Sequence, residues 1–338
     1  MTHPTTRPAA LLVMDEPTFQ VQFRAEELDR LARLVRLVAP GPVHELDSGP
    51  ARARLAEADV LVTSWGVPAL TDERLAAAPR LRAVLHAAGS VRELVSDGGV
   101  WRRGIVVSSA AGENAVAVAE YAFAAIVMAG KKAPFLATDT HHGHVSRYLR
   151  TRLSNRGRTI GVIGFSRTGR RLLELLRMLE TAEILVSDPY ADPAAVVAAG
   201  GRLVPLDELL SRAEILSLHA PALPGAPHLL GARELEMLPA GATLINTARG
   251  ALVDHDALLA QCRSGRLDAV LDVTDPEPLP PDSPMLGLPN VMVTPHIAGS
   301  LGEETRRMSA HAIDELERWC AGKPLAASVS ASSTAISA

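Results

Sequence analysis

Apolar runs of three or four residues alternate with longer amphipathic stretches through the first third of the chain. Such runs occupy residues 11–14, 60–62, 83–85 and 105–107. After the first run, apolar side chains recur at helical spacing. They predict a helix with one buried face, formed by Leu28, Leu31, Leu34, Val35 and Val38. Buried strands that alternate with helices are typical of a parallel sheet covered by helices, so an α/β domain is expected here.

The same pattern begins again in the middle of the chain and predicts a second domain. A long apolar helix is expected over residues 113–129, followed by strands at 160–163 and 184–187. A helix over residues 303–319 is expected to return to the first domain, and the Ala/Ser-rich tail after Lys323 is expected to be partly disordered. We therefore predict an α/β fold with two Rossmann-like domains, parallel sheets flanked by helices, one of residues 1–115 plus 301–338 and one of 116–300.

Composition and charge narrow the classes of function. The chain has 338 residues, enough for two domains, and a hydrophobic content of 47%, enough for two buried cores. A formal net charge of −4 and the lack of a basic stripe argue against nucleic acid as a partner. No apolar leader is recognised, and no run approaches the length of a membrane span. A cytoplasmic protein that binds no membrane is expected.

Neither the cysteines nor the clustered histidines of this chain favour a metal site or a disulfide framework. Cys262 and Cys320 lack a metal-binding spacing and are too few for a disulfide scaffold. The cluster of His141, His142 and His144 has no accompanying acidic or cysteine ligands. We expect no bound metal.

A glycine-containing turn follows the first strand predicted for the second domain. Dinucleotide-binding folds place glycines at the tight turn, at the pyrophosphate and at the helix–strand contact. Gly164 and Gly169 occupy the first and third positions, whereas Ser166 stands at the second. Its Cβ is expected to push the pyrophosphate outward slightly, although its hydroxyl could donate to a phosphate oxygen. The helix that begins with Arg167 and Thr168 offers free backbone N–H groups to that anion.

An acidic residue ends the next predicted strand. Asp188 lies 19 residues after Gly169 and is followed by Pro189. An acid at this spacing typically accepts hydrogen bonds from the adenosine ribose and repels a 2′-phosphate, so the motif favours NAD (NADH) over NADP. The alternative is a nucleotide-free βαβ turn with a chance acid. The joint presence of strand, helix and spaced acid argues against it.

Three residues in the last third of the chain indicate a reaction. Arg249, Glu277 and His296 each follow a short apolar run, and open α/β sheets bind ligands at the carboxyl ends of their strands. Arg249 could grip a carboxylate with two parallel hydrogen bonds. Imidazole, with an unperturbed pKa of about 6.5, exchanges a proton near neutral pH, and a carboxylate on its other nitrogen would favour the imidazolium. Singly, these residues could be a solvated charge, a loop residue and a structural histidine. Together they favour reduction of a 2-keto acid by NADH.

These motifs resemble those of the D-isomer-specific 2-hydroxyacid dehydrogenase family, which includes phosphoglycerate, glycerate, lactate and formate dehydrogenases. The resemblance runs from about Ala58 to Met308 and rests on residues 114–120, 161–170, 187–190, 217–221, 241–253, 272–278 and 289–300. It implies an NAD-dependent enzyme whose active site lies in the cleft between a substrate-binding domain (1–115 plus 301–338) and an NAD-binding domain (116–300). It also implies a homodimer joined through the NAD-binding domains.

The resemblance assigns roles to individual residues of the second domain. By resemblance, Arg249 binds the substrate carboxylate and carbonyl, His296 is the acid/base and Glu277 is its partner. Asp272 is implied to hold the nicotinamide carboxamide. The cofactor cleft is further implied to include His219, Pro221 and Thr247.

The resemblance also assigns a role to the first domain and exposes two departures. The turn of Ala88, Gly89 and Ser90 is implied to offer backbone N–H groups to the substrate carboxylate; without the resemblance it would be an ordinary tight turn. The substrate is implied to be a small 2-keto or 2-hydroxy acid, with its identity and the physiological direction left open. Ser166 stands where the family has a glycine, and Thr274 stands where an aromatic residue is common. These departures bear on the affinity for the cofactor and on the shape of the pocket.

Two other classes of function stay open. Nonenzymatic NAD-sensing corepressors share this fold and even the catalytic trio, although no DNA-contacting or partner-binding appendage is recognised here. An enzyme acting on phosphite or formate is the other alternative. The basic residue expected for phosphite aligns with Ala88, and formate enzymes usually place Gln where Glu277 stands, so both substrates are disfavoured.

Overall fold

The computed structural model describes residues 7–95, 98–141, 153–223 and 225–336. The chain divides into two compact units: unit 1 is Met1–Asn114 with Ser300–Ala338, and unit 2 is Ala115–Gly299. Each unit has its own sheet with helices around it. The α/β class predicted from the sequence is confirmed.

The strands carry the apolar runs noted in the sequence. In the part of the chain that the structure describes they are β1 (Ala9–Val13), β2 (Arg36–Leu37), β3 (Val60–Thr63), β4 (Ala83–His86), β5 (Val106–Ser109), β6 (Thr159–Ile163), β7 (Glu183–Ser187), β8 (Arg202–Leu203), β9 (Ile215–Leu218), β10 (Ala242–Asn246), β11 (Leu267–Leu271), β12 (Val291–Val293) and β13 (Ser328–Val329).

Many of the helices begin after a side chain that caps their free backbone N–H groups, as Asp15, Ser48 and Asp254 do. The helices are α1 (Glu16–Gln22), α2 (Ala25–Leu34), α3 (Gly49–Glu57), α4 (Asp72–Ala76), α5 (Gly99–Arg102), α6 (Ala111–Gly130), α7 (Ala133–His141), α8 (Arg167–Leu176), α9 (Pro193–Ala198), α10 (Leu206–Arg212), α11 (Ala232–Met237), α12 (His255–Arg263), α13 (Thr305–Cys320) and α14 (Ala331–Ile336).

The sheet of unit 1 has the strand order β13-β5-β4-β3-β1-β2. Its strands run parallel except for β13, which pairs antiparallel with β5. Successive residues enter two cores on opposite faces: Leu11 and Leu61 lie in one, Leu12 and Val62 in the other. Because both faces are buried, the strands are continuous apolar runs and do not alternate with polar residues.

The sheet of unit 2 has the order β12-β11-β10-β9-β6-β7-β8, and all its strands are parallel. The chain proceeds from β6 outward through β7 and β8, then returns to β9 on the other side of β6. The order therefore reverses between β6 and β9. Open α/β sheets bind ligands at the carboxyl ends of their strands at such a reversal.

The helix predicted after the first strand is shorter than expected. It ends at Leu34, because Val35 is extended (φ −135°, ψ 165°). Arg36 and Leu37 then pair with β1. Val38 therefore lies beyond the helix, although Val35 is buried as predicted.

The C-terminal tail is more ordered than predicted. Residues 328–329 form β13, and the Nε1 of Trp101 donates to the carbonyl oxygen of Val329 at 3.1 Å. The buried carboxylate of Glu315 accepts hydrogen bonds from the backbone nitrogens of Ala326 and Ala327 at 2.9 and 3.0 Å. The prediction of a partly disordered tail is wrong for residues up to 336.

One helix corrects the expectation that no run approaches the length of a membrane span. Helix α6 has 20 residues, and its most apolar stretch has a mean hydropathy of 1.2. By length and composition alone it is therefore long and apolar enough to cross a membrane. One such helix is weak evidence, because core helices of soluble proteins meet the same criteria. Ala119, Ala122, Ile126 and Ala129 of α6 lie in a core of unit 2.

Candidate active site

The turn between β6 and α8 requires glycine at two positions. Gly164 has a φ of +99°, which L side chains rarely adopt, and a Cβ on it would lie 2.6 Å from the backbone nitrogen of Ala220. A Cβ on Gly169 would lie 2.1 Å from the carbonyl oxygen of Gly164. The helix and the loop after β9 can therefore approach this turn closely only because both residues are glycine.

Ser166 has a local structural reason to stand at the second position of the motif. It is the N-cap of α8, and its Oγ accepts a hydrogen bond from the backbone nitrogen of Gly169 at 3.3 Å. Its hydroxyl hydrogen stays available to a further acceptor. Arg167 and Thr168 form the first turn of α8, where backbone N–H groups have no intrahelical partner.

Asp188 follows β7 and contacts the same turn. Its Oδ2 accepts a hydrogen bond from the backbone nitrogen of Phe165 at 2.7 Å, and its Oδ1 accepts one from that of Tyr190 at 2.8 Å. Each oxygen retains capacity for another donor. The acid thus lies against the glycine-containing turn, with Pro189 next in the chain, where a ribose-binding acid is expected.

The residues after β9 and β10 include an unsatisfied hydroxyl. The Oγ1 of Thr247 is buried and has no hydrogen-bond partner among the described residues. Such a group is costly unless a ligand pairs with it, so Thr247 fits a contact to a bound polar group such as the cofactor.

His219, two residues before Pro221, has its Nε2 2.8 Å from the Oγ of Ser217. Burial lowers the pKa of His219 to about 4, so its ring is neutral at physiological pH.

Arg249 extends from a tightly packed loop after β10. Asn246 braces this loop: its Nδ2 donates to the carbonyl oxygen of Arg249 at 2.9 Å, and its Oδ1 accepts from the backbone nitrogen of Ala248 at 3.0 Å. A Cβ on Gly250 would lie 2.0 Å from the carbonyl oxygen of Thr274, so the loop packs directly on the one after β11. The Arg249 side chain is exposed, and its Nη1 donates to the carbonyl oxygen of Ala248 at 2.7 Å.

His296 and Glu277 form a hydrogen-bonded pair. The Nδ1 of His296 lies 2.5 Å from the Oε1 of Glu277, and 51% of the His296 side chain is exposed. Among the described residues, none forms a hydrogen bond to the Nε2 of His296, and none links Arg249 to this pair. His296 has a φ of +54°, which is uncommon for a non-glycine residue and frequent at functional sites.

Asp272 holds the segment that carries His296. It is 2% exposed, and its Oδ1 and Oδ2 each accept a hydrogen bond at 2.8 Å, from the backbone nitrogens of Ile297 and Ala298. Its carbonyl oxygen accepts one from the backbone nitrogen of His296 at 2.9 Å. From the sequence, Asp272 was expected to contact the nicotinamide carboxamide, and its positioning of the histidine was missed.

A tyrosine on α6 extends this network. The Oγ1 of Thr294 lies 2.6 Å from the Oδ1 of Asp272. Because a carboxylate only accepts, Thr294 must donate to it. The Tyr121 hydroxyl, 2.7 Å from the same Oγ1, must then be the donor to Thr294. Burial raises the pKa of Tyr121, which keeps its hydroxyl protonated for this role. No motif identified Tyr121, because it lies in an apolar helix.

In unit 1, a carbonyl group within the turn predicted to bind the substrate carboxylate, and another just before it, accept hydrogen bonds from serine side chains. The carbonyl oxygen of Ala87 accepts a hydrogen bond from the Oγ of Ser64 at 3.1 Å, and that of Gly89 accepts one from the Oγ of Ser109 at 2.8 Å. The backbone N–H groups of residues 88–90 form no hydrogen bond to any residue that the structure describes. Free backbone amides on a turn suit an anion.

No group of three potential metal ligands occurs among the residues that the structure describes. Of the histidine cluster, His142 and His144 lie outside the described residues. His141 is the last residue of α7.

Comparison with known proteins identifies the family. Residues 123–298, more than half of the chain, match the family model described as D-isomer specific 2-hydroxyacid dehydrogenase, NAD binding domain. The chain therefore belongs to the D-isomer specific 2-hydroxyacid dehydrogenase family. The predicted family is confirmed, and the matched region, which lies within unit 2, is its NAD binding domain.

Individual relatives differ in length and in the activity that their names describe. A D-3-phosphoglycerate dehydrogenase of Archaeoglobus fulgidus is 33% identical over 225 residues, which cover 66% of this chain and 42% of the relative. The chain spans about half the length of such phosphoglycerate dehydrogenases. A glyoxylate reductase of Aeropyrum pernix is 31% identical over 80% of this chain and 82% of its own. The crystal structure of the TT0316 protein from Thermus thermophilus is 27% identical, with a TM-score of 0.74 over 95% of this chain and 100% of that one.

Proposed function

We propose that the protein is an NAD-dependent D-2-hydroxyacid dehydrogenase that acts as a 2-keto acid reductase. The observation that carries the proposal is the 2.5 Å contact between His296, on the loop after β12, and Glu277, on the loop after β11 of the NAD binding domain. An imidazole that bonds a carboxylate through one nitrogen, with its other nitrogen available, is suited to general acid/base catalysis.

The reaction needs a proton at the carbonyl oxygen as C2 is reduced. NADH, held by the turn from Gly164 to Gly169, would supply the hydride. His296, protonated and held by Glu277, donates the proton from its Nε2 to the developing alkoxide. In the reverse direction the neutral ring accepts that proton. Asp272 keeps the histidine backbone in place through the hydrogen bonds that it accepts from the backbone nitrogens of residues 296–298.

Two sets of hydrogen-bond donors, each described within its own unit, are candidates for the substrate carboxylate. The exposed guanidinium of Arg249 offers parallel N–H groups that suit a planar carboxylate. The free amides of Ala88, Gly89 and Ser90 supply neutral donors. The proposed substrate is therefore a small 2-keto acid, and reduction is the proposed direction because the equilibrium of this class of reaction generally favours the hydroxy acid near neutral pH.

The cofactor is proposed to be NADH, held by the turn from Gly164 to Gly169 and by Asp188. The carboxylate of Asp188 lies against this turn and would repel a 2′-phosphate. Thr247 would pair its unsatisfied hydroxyl with the bound nicotinamide nucleotide. A cytoplasmic location and a homodimer formed through unit 2 are further expectations from the family resemblance.

The test is NADH oxidation by the purified protein against 2-keto acids of graded size, with NADPH in parallel. We expect turnover with at least one acid, a preference for NADH, and oxidation of only the D enantiomer of the corresponding hydroxy acid. The Glu277→Gln variant should bind NADH normally and turn over more slowly. NADH binding without turnover across the whole panel would contradict the enzymatic proposal and favour an NAD-sensing role.

A further inference from the structure

A histidine outside the predicted site bridges the loops that carry Arg249 and Glu277. His255 is the first residue of α12, immediately after the capping Asp254. Its Nδ1 lies 3.0 Å from the carbonyl oxygen of Val253, and the backbone nitrogen of Asp275 donates to its Nε2 at 3.3 Å. The ring therefore joins two backbone segments that are 22 residues apart in the chain.

The two partners define which nitrogen of the ring carries the hydrogen. A carbonyl oxygen only accepts, so Nδ1 must be the donor to Val253. A backbone N–H only donates, so Nε2 must be unprotonated to accept from Asp275. The neutral tautomer with hydrogen on Nδ1 satisfies both contacts at once. Neither the charged ring nor the other tautomer does so.

Both anchored residues are close to the proposed catalytic groups. Val253 is the C-cap of the short 3-10 segment Gly250–Leu252, which begins directly after Arg249. Asp275 stands two residues before Glu277, the partner of His296. The two loops are already in tight backbone contact, as shown by the 2.0 Å that a Cβ on Gly250 would leave to Thr274. His255 adds directional bonds to that contact.

We propose that His255 is a positioning residue that sets the placement of the Arg249 loop relative to the Glu277 loop. The proposal rests on the proposed function, because it concerns the groups that would bind the carboxylate and hold the acid/base histidine. Packing alone would allow one loop to shift relative to the other. Hydrogen bonds oppose such a shift, because they depend on direction as well as distance. Small displacements of catalytic groups lower the rate strongly.

Two substitutions separate the two halves of the bridge. In His255→Asn the short amide can still donate to Val253, but it no longer reaches Asp275. In His255→Gln the longer amide can still accept from Asp275, but it no longer donates to Val253. We expect His255→Asn to lower kcat about tenfold with little change in KM for the keto acid, through the Glu277 loop. We expect His255→Gln to raise that KM about tenfold and largely keep kcat, through the Arg249 loop.

A second measurement reports on the bridge without activity. Hydrogen exchange of the peptide containing Asp275 should be faster in His255→Asn than in the unsubstituted protein, and unchanged in His255→Gln. The control is His44→Asn, because the His44 side chain is exposed and forms no hydrogen bond to any residue that the structure describes. It should leave the kinetic constants and the exchange unchanged.

The outcomes separate the two proposals. Equal effects of both substitutions on kcat and KM, or exchange at Asp275 that does not respond to His255→Asn, would overturn the positioning role. Absence of turnover in the unsubstituted protein would instead overturn the proposed function. The exchange measurement would then show by itself whether His255 holds the segment that contains Asp275.

Discussion

At the scale of single residues, the pair of His296 and Glu277 carries the proposed chemistry. Replacing His296 with Ala removes the proton donor and leaves the glycine-containing turn intact. We expect turnover to fall by about 10²–10⁴-fold, the usual effect of losing general acid/base catalysis, while the affinity for NADH is retained. Steady-state kinetics and fluorescence titration with NADH check this. Loss of NADH binding would show that His296 is structural, and His44→Ala, at an exposed histidine, serves as a surface control.

A second residue-scale prediction concerns cofactor choice. Asp188→Ala leaves the backbone N–H groups of Phe165 and Tyr190 without their acceptor and removes the charge that would repel a 2′-phosphate. We expect NADH affinity to fall about tenfold or more, as for lost hydrogen bonds to a charged group, and discrimination against NADPH to relax. Asp188→Asn keeps an acceptor without the charge, so it should relax discrimination with a smaller loss of affinity. An unchanged NADH:NADPH preference in both variants would remove Asp188 from this role.

At the scale of elements, helix α6 supports the loop after β12. Tyr121→Phe removes only the hydroxyl that donates to Thr294, and Thr294→Val removes both bonds of that side chain. One net hydrogen bond is worth about 0.5–1.5 kcal/mol, so we expect Tyr121→Phe to lower kcat about 2–12-fold. NADH affinity should not change.

A double-substitution cycle tests whether the two residues act as one unit. Because Tyr121 reaches Asp272 only through Thr294, the double variant should be no slower than Thr294→Val alone. Strictly additive effects on the activation free energy would show that the two hydroxyls act separately.

Elements with a strong apolar pattern were the predictable ones. Helix α6 and strands β3 and β4 lie within a residue or two of their predicted bounds. The end of α2 was missed because Val35 is apolar and buried in either conformation, and only its pairing neighbour Arg36 reveals the extended backbone. The tail was missed because its order depends on the distant Glu315, which no local pattern reports.

The residues of the site divide in the same way. Some are identified by a sequence motif, and others only by their hydrogen bonds in the structure. Gly164, Gly169 and Asp188 follow strands at recognisable spacings, so the sequence identified them. Tyr121 and His255 each form a hydrogen bond to a residue 20 or more positions away in the chain, and their types alone suggest a core tyrosine and a surface histidine. The roles of the identified residues in catalysis stay predictions until they are measured.

At the scale of the whole molecule, each compact unit has its own core, and unit 1 is assembled from both ends of the chain. The C-terminal segment contributes an edge strand beside β5 and two donors to the buried Glu315. The predicted ligands of the cofactor all lie in unit 2. The stability of unit 1 and the binding of NADH should therefore respond differently to loss of the tail.

Removing residues 324–338 tests this division. Among the residues that the structure describes, the carboxylate of Glu315, 1% exposed, would keep only Arg318, whose Nε lies 3.8 Å away. A buried acceptor without its partners costs about 1–3 kcal/mol, and strand β13 and its bond to Trp101 are lost as well, so urea unfolding should show a loss of at least that size while NADH affinity is retained. Glu315→Gln should recover part of the loss in the shortened chain, because a neutral amide is less costly to bury than a carboxylate. In the full chain the same substitution should destabilise, because the carboxylate that accepts from Ala326 and Ala327 is lost. The same sign in both chains would contradict this account of the tail.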